Sequence, residues 1–216
     1  MLQKNNFVEI EFTGKVKDGE LFDTNIKSEA VKMELEIEER PLTICLGQNM
    51  ILPAIDDFLI GKEIGKHSIE LLPEKAFGMR DKSLIKTVPL KMFIEKQIMP
   101  RPGMMFNFDN AIGKISSVSG GRVIVDFNNP LANKTVVYEI NVKRVLEDNK
   151  EKVDSLMNFF FRRKFEFKIN GSELIVDADK KLKPFLEAFK ERFKEILNLD
   201  MKINEVEEKI ITPENK

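Results

Sequence analysis

LTICLGQNMILPAIDDFLIGKEIGK, residues Leu42–Lys66, decides the fold of this 216-residue chain. Pro41–Leu46 reads as a strand, and Gly47-Gln48-Asn49 breaks it. Ile51–Ile60 then sets Ile51, Ile55, Phe58 and Leu59 on one helical face, with Pro53 in the first turn, where its missing N–H costs nothing. Gly61 and Gly65 close that helix, and Lys66–Leu72 is a further strand ended by Pro73. A short helix set among strands is an α+β pattern.

Toward the N-terminus, Phe7–Lys17 reads FVEIEFTGKVK, with Phe7, Val8, Ile10, Phe12 and Val16 alternating with charge and Lys17-Asp18-Gly19-Glu20 supplying a turn. This is a half-buried strand and its hairpin. Ser28–Arg40 is charged, with Val31, Met33, Leu35 and Ile37 alternating, and leaves both an irregular excursion and a short strand open.

Toward the C-terminus the composition shifts at Val88-Pro89. Pro89–Phe127 gathers Met and Phe between Pro100, Pro102 and Gly103, then runs AIGKISSV and GRVIVDF around Gly120-Gly121. The expectation is a compact all-β unit with much apolar surface. Thr135–Leu146 resumes a long alternating strand. After Glu147-Asp148-Asn149 the apolar residues of Glu151–Phe161 take helical spacing, and Phe165–Ile169 with Leu174–Val176 forms a hairpin about Asn170-Gly171. Leu182–Leu197 is read as one amphipathic helix, Met201–Val206 as a returning strand, and Thr212–Lys216 as a frayed tail.

Lys+Arg 35 against Asp+Glu 36 gives a net charge of -1, so no basic field exists to hold a nucleic acid by counterion release. No apolar leader and no run of about 18 uncharged apolar residues occurs, so secretion and a membrane span are not expected, and the cytoplasm is. A single cysteine, Cys45, cannot form an internal disulfide and reads as a structural thiol. With His67 alone and no cysteine pair, the ligand set for zinc or nickel is lacking, and no calcium loop or phosphate cradle organises the carboxylates. Neither metal nor cofactor is expected. Hydrolase chemistry would have to use the lone His67, which lies in no nucleophile motif.

Separated blocks in fixed order carry a family resemblance. FVEIEFTG, DGELFDTN, LTICLGQNMILPAIDDFLIGKEIGK and LLPEKAFGMRD resemble the successive signatures of FKBP-type peptidyl-prolyl isomerases over Phe7–Asp81. DFNNPLANK followed by VVYEI, within Asp126–Glu147, is similar to the corresponding segment of the SlyD-like branch. Pro89–Phe127 falls where SlyD-like and archaeal members carry an insert-in-flap domain, and the layout resembles the long archaeal FKBPs without a His/Cys-rich metal tail. The resemblance implies an FKBP-like antiparallel sheet wrapped on a short helix. It assigns 1–88 plus 128–147 to a catalytic domain, 89–127 to an inserted domain, and 148–216 to a small α+β C-terminal domain.

It further implies a proline pocket lined by Phe12, Phe22, Leu42, Ile51, Leu52, Ile55, Phe77, Leu131 and Tyr138, with Asp23 as its carboxylate and the Leu52 N–H as receiver of the carbonyl before proline. Phe12 and Phe77 stand where many members have Tyr, Ile55 where Trp floors the pocket, and Leu42 where Phe is usual; Asn129 and Asn133 replace His and Gly. By pattern alone these apolar residues would be core, and Asp23 a turn residue. The chemistry is consistent with the family's: rotating an X-Pro bond needs no nucleophile, only an apolar, water-poor site that disfavours the charge-separated planar amide.

In the insert, Met92, Phe93, Met99, Met104, Met105 and Phe108 are candidate client-binding residues. A unit of about 40 residues cannot bury so many apolar side chains, and flexible thioethers repack around unrelated segments. The expected activity is isomerisation and chaperoning of unfolded or nascent polypeptides at X-Pro bonds; the alternative is a holdase with a weakened pocket. The phenylalanines of the C-terminal module are core by default, with a homodimer through this module as the alternative.

Overall fold

A computed structural model describes residues 1–34, 41–108 and 111–206. The first elements are β1 (Phe7–Val16), β2 (Leu21–Thr24), α1 (Lys27–Lys32), β3 (Leu42–Cys45), α2 (Pro53–Leu59) and β4 (Gly65–Leu71). There follow β5 (Ile85–Pro89), α3 (Leu90–Glu95), β6 (Met105–Phe108), β7 (Ala111–Ser119), β8 (Arg122–Asp126) and β9 (Val136–Val145). The chain continues with α4 (Asn149–Phe161), β10 (Glu166–Asn170), β11 (Glu173–Ala178), α5 (Lys183–Glu187), α6 (Lys190–Leu197) and β12 (Asp200–Glu205). The fold is α+β: a five-stranded sheet ordered β2-β1-β9-β4 with β3 on β1, a four-stranded sheet β5-β8-β7-β6, and a three-stranded sheet β10-β11-β12. Two compact units are distinguished, one of Met1–Phe12, Asn25–His67 and Ile140 onward, the other of Thr13–Thr24 and Ser68–Glu139.

In the first unit β1 pairs antiparallel with β3, from Phe7↔Cys45 to Ile10↔Leu42. Val8 and Ile44 are buried, and so are their neighbours Phe7 and Cys45, whose side chains alternate to the other side, so this stretch is covered on both faces and not half-buried as read from the sequence. The C-terminal segment shares its core with these strands: Phe7, Cys45 and Leu146 belong to one cluster with Val153, Leu156 and Met157 of α4 and with Leu174, Leu186 and Phe193. Each such side chain contributes about 1.5–3 kcal/mol on burial, so removing α4 would uncover a substantial part of this core. Asp148 caps α4 by accepting a hydrogen bond from the Lys150 N–H at 3.0 Å. Phe160, Phe161 and Phe189 pack against the same cluster, which agrees with the core reading of this Phe-rich segment.

Local departures from the sequence reading have identifiable causes. Leu182–Leu197 forms not one helix but α5 and α6. Both turns keep one apolar face, with Leu186 and Phe193 fully buried, so the periodicity runs unbroken through the bend at Ala188-Phe189. Part of Ser28–Arg40 is α1, which buries Ala30, while Leu35, Ile37 and the tail Thr212–Lys216 lie outside the described residues.

In the second unit β1 pairs with β2, and the sheet β5-β8-β7-β6 packs on Phe93, Ile115, Val123 and Val125. This insert is not all-β, because α3 opens directly after Pro89 and turns Phe93 inward, 2% exposed. The Pro and Gly punctuation further along dominated the sequence pattern and hid the helical turn. The β7–β8 connection uses Gly120 and Gly121, both at positive φ. At the base of the insert Arg80 bonds Asp126 at 2.6 Å, and Asn128 exchanges hydrogen bonds with the backbone of Asp81.

Candidate active site

The β1–β2 hairpin sets Gly14 opposite Asp23, with a register shift between Gly14 and Lys15. That register brings Phe22 over a residue without a side chain. A Cβ at Gly14 would stand 2.9 Å from the Tyr138 ring and 3.0 Å from the Phe22 ring. Phe22 meets Tyr138 edge-on at 5.7 Å and Phe77 at 5.6 Å, interplanar angles 85° and 86°. Edge-to-face pairs of this geometry add about 0.5–1.5 kcal/mol beyond burial. Tyr138 is 4% exposed, whereas Phe22 and Phe77 are half-buried and present apolar surface.

Phe77 is delivered by a loop held at both ends. The Gly78 N–H donates to the Pro73 carbonyl at 2.7 Å, and the Gly78 carbonyl accepts from the Asn133 N–H at 2.9 Å. Asn133 sits at φ 67, a left-handed position that Asn adopts where the family has Gly. Half-buried Leu131 lies in the same turn, its N–H bonded to the Asn129 side chain at 2.8 Å. Desolvation raises the pKa of Asp23 above the ordinary carboxylate value, while the Thr24 N–H works in the opposite direction. Burial, then the charge of Asp23, raises that of the Tyr138 phenol. The arrangement is an aromatic wall with a carboxylate beside it and no nucleophile–base pair.

The remaining candidates lie in the first unit. The Phe12 N–H donates to Asn25 Oδ1 at 2.7 Å, and Asn25 Nδ2 donates to the Ile10 carbonyl at 2.8 Å, so one amide holds the strand about Phe12. Leu42, paired with Ile10 in β3, is 36% exposed. Ile51 and Leu52 are half-buried ahead of α2, and Ile55 faces the core at 3% exposure. The Leu52 carbonyl accepts from Ile55 and Asp56 as the helix begins, and its own N–H has no acceptor among the described residues. Asp56 is 1% exposed and accepts from the N–H groups of Gly47 and Asn49, each at 2.9 Å. Asn25 and Asp56 lie within DGELFDTN and PAIDD, but their hydrogen-bond partners are backbone groups brought near only by the fold, so local pattern does not mark their roles.

In the insert, Met92, Met99, Met104 and Met105 are exposed, at 52%, 76%, 40% and 50%. Phe93 is not a surface residue: it forms the core, with Phe106 and Phe108 ring centroids at 5.5 and 5.8 Å. Phe108 is half-buried and also meets Phe127. Ile94 and Ile112, exposed at 55% and 62%, extend the apolar surface beyond the residues read from sequence. His67 bonds the Glu63 carbonyl and stands edge-on to Phe58. Among the described residues no cluster of His, Cys, Asp or Glu is arranged to hold a metal ion, and no helix is long and apolar enough to cross a membrane.

Comparison with known proteins adds a family. Residues 1–94 match FKBP-type peptidyl-prolyl cis-trans isomerase, and residues 86–131 match FKBP26, IF domain. The chain is similar to a short-type peptidyl-prolyl cis-trans isomerase of Methanocaldococcus jannaschii, 30% identical over 149 residues covering 67% of this chain and 94% of that protein. SlyD of Treponema pallidum is 30% identical over 155 residues, 69% of this chain and 81% of its own. A 16 kDa FKBP-type isomerase of Escherichia coli is 27% identical over 150 residues, 67% of this chain and 93% of its own.

Proposed function

As the chain belongs to the FKBP-type peptidyl-prolyl cis-trans isomerase family, we propose that it isomerises X-Pro bonds in unfolded or partly folded polypeptides, which its insert holds. The X-Pro barrier of about 18–20 kcal/mol comes from amide resonance, and uncatalysed exchange takes tens to hundreds of seconds. A site lowers that barrier by favouring the twisted, less charge-separated amide over the planar one. Chief support comes from the edge-to-face group Phe22, Phe77 and Tyr138 beside Asp23, an exposed residue whose carboxyl is partly desolvated. Proline stacks against the half-buried faces of Phe22 and Phe77, and water is kept from its carbonyl.

Exposed methionines in the same unit as the rings supply the client surface. Their unbranched, polarizable side chains adapt to many apolar segments. Client binding is tested in the full chain by replacing Met92, Met99, Met104 and Met105 with Ser. Catalysed refolding of a proline-limited protein should collapse while turnover of a short X-Pro peptide persists. Equal loss of both would contradict the division of labour. A holdase with a weakened pocket is the second reading, favoured by Phe77 lacking a phenol and by aliphatic Ile55; the peptide assay separates the two.

A further inference from the structure

Residues 78–81, which follow Phe77, belong to neither helix nor strand, and the same holds for residues 127–135. Backbone in such segments keeps its place through individual hydrogen bonds rather than through a ladder. The two segments meet within the compact unit that also contains Phe22, Tyr138 and the insert. At one end the Asn133 N–H donates to the Gly78 carbonyl at 2.9 Å, and at the other the Phe127 N–H donates to the Leu84 carbonyl at 3.0 Å. Between these bonds a side chain makes the connection. Asn128 Oδ1 accepts from the Asp81 N–H at 2.7 Å, and its Nδ2 donates to the Asp81 carbonyl at 2.9 Å. One amide thus imitates the paired backbone of a neighbouring strand.

The same amide is anchored at the root of the insert. Its Nδ2 also donates to Asp126 Oδ1 at 2.7 Å, and the Asn128 N–H donates to that oxygen at 2.9 Å. Arg80 takes the other carboxylate oxygen at 2.6 Å. Burial works to raise the Asp126 carboxyl, but the donors of Asn128 and Arg80 prevail and hold it below the ordinary value. Asp126 ends β8 in register with Ile85 of β5, and its neighbour Phe127 packs against the insert core. A local turn would need only the bonds between Asn128 and Asp126. The pair of bonds to Asp81 and the reach of Arg80 to Asp126 instead cross to the loop that carries Phe77. Bonds to a charged group are about twice as strong as neutral ones, and joined bonds reinforce one another.

We propose that Asn128 is a positioning residue of the isomerase site, forming with Asp126 and Arg80 a clasp that fixes the Phe77 loop against the root of the insert. The proposal rests on the isomerase reading. Asn128 itself does not touch the substrate; it acts through Phe77, whose ring meets Phe22 edge-on at 5.6 Å. The insert thereby supports the ring wall as well as carrying its own apolar surface.

The test uses the full chain, a short X-Pro peptide, and amide hydrogen exchange followed by NMR. Asn128→Ala should lower kcat by about tenfold with KM little changed, because a misplaced ring costs stabilisation of the twisted amide rather than ground-state binding. It should also speed exchange at the Gly78 and Asn133 amides, neither of which bonds to Asn128. Asn128→Asp keeps an acceptor for the Asp81 N–H but loses the donations of Nδ2, and should slow turnover by about threefold or more. Arg80→Gln removes only the ion pair and should cost about threefold or less. Lys17→Ala, which breaks the exposed pair with Glu70 in the same unit, should change neither readout. Thermal melts verify folding, and Asn128→Asp carries the test should Asn128→Ala not fold. Wild-type kcat and wild-type exchange at Gly78 and Asn133 in a folded Asn128 variant overturn the clasp. Faster exchange at both amides in a chain whose wild type turns over no X-Pro peptide supports the clasp and tells against the isomerase reading alone.

Discussion

The Phe22 and Tyr138 rings meet edge to face, 5.7 Å between centroids at 85°, and the backbone of Gly14 closes against both. A hydrogen is all that fits there. The hairpin register that sets Gly14 opposite Asp23 therefore also decides how the rings pack.

Adding a methyl group at Gly14 should disturb the site. Gly14→Ala must push Tyr138 or Phe22 aside, and overpacking of this kind costs about 1–3 kcal/mol. Displaced rings should lower kcat/KM on an X-Pro peptide by about tenfold or more, because misplacement of about 1 Å can cost a hundredfold. Urea unfolding and a protease-coupled assay measure the two effects. A fully active Gly14→Ala would show that the rings do not form the wall.

Asp56 holds the chain that leads into α2. Asp56→Ala leaves the N–H groups of Gly47 and Asn49 without their acceptor in a buried place, a loss of about 3 kcal/mol. Asp56→Asn keeps a carbonyl acceptor for one of them and should lose less. Chemical denaturation of the pair of variants gives the difference.

Asp23 should imprint a pH dependence of definite sign. Its pKa is raised in the folded state by desolvation, so between the ordinary carboxylate value and that raised value the folded chain binds more protons than the unfolded chain. Stability should fall as pH rises through that window and then level off. Asp23→Asn should remove this component, so that wild type and variant diverge above the window. Thermal melts across acid pH measure it, and parallel profiles would contradict the assignment.

Cys45 is fully buried in the core it shares with α4, and burial pushes its thiol up to about 12. A thiol-specific reagent near neutral pH should react only as fast as the chain opens. Truncation after Glu147 removes Val153, Leu156 and Met157 from around it and should accelerate labelling by orders of magnitude. Equal labelling rates would mean that the C-terminal segment does not guard this core.

Much of this was legible from local pattern. The strand at Phe7–Val16, the helix after Pro53 and the hairpin at Asn170-Gly171 each follow from alternation, from Pro in a first turn, or from a residue able to adopt positive φ. What escaped depended on partners distant in sequence or on unpunctuated bends. Phe93 and Met92 are neighbours of similar apolarity, yet α3 turns one into the core and the other outward. The bend between α5 and α6 contains neither Gly nor Pro, and Lys190 bonds Glu187 across it at 2.8 Å. Asn25 and Asp56 satisfy backbone groups of other segments, which no local pattern announces.

The most direct test of the central claim is a protease-coupled measurement of X-Pro isomerisation with the wild type and Phe22→Ala. The account predicts proline-specific acceleration by the wild type and a loss of about a hundredfold in kcat/KM for the variant, since the ring that pairs with both Phe77 and Tyr138 is gone. No acceleration by the folded wild type, or equal rates for the two proteins, would contradict it.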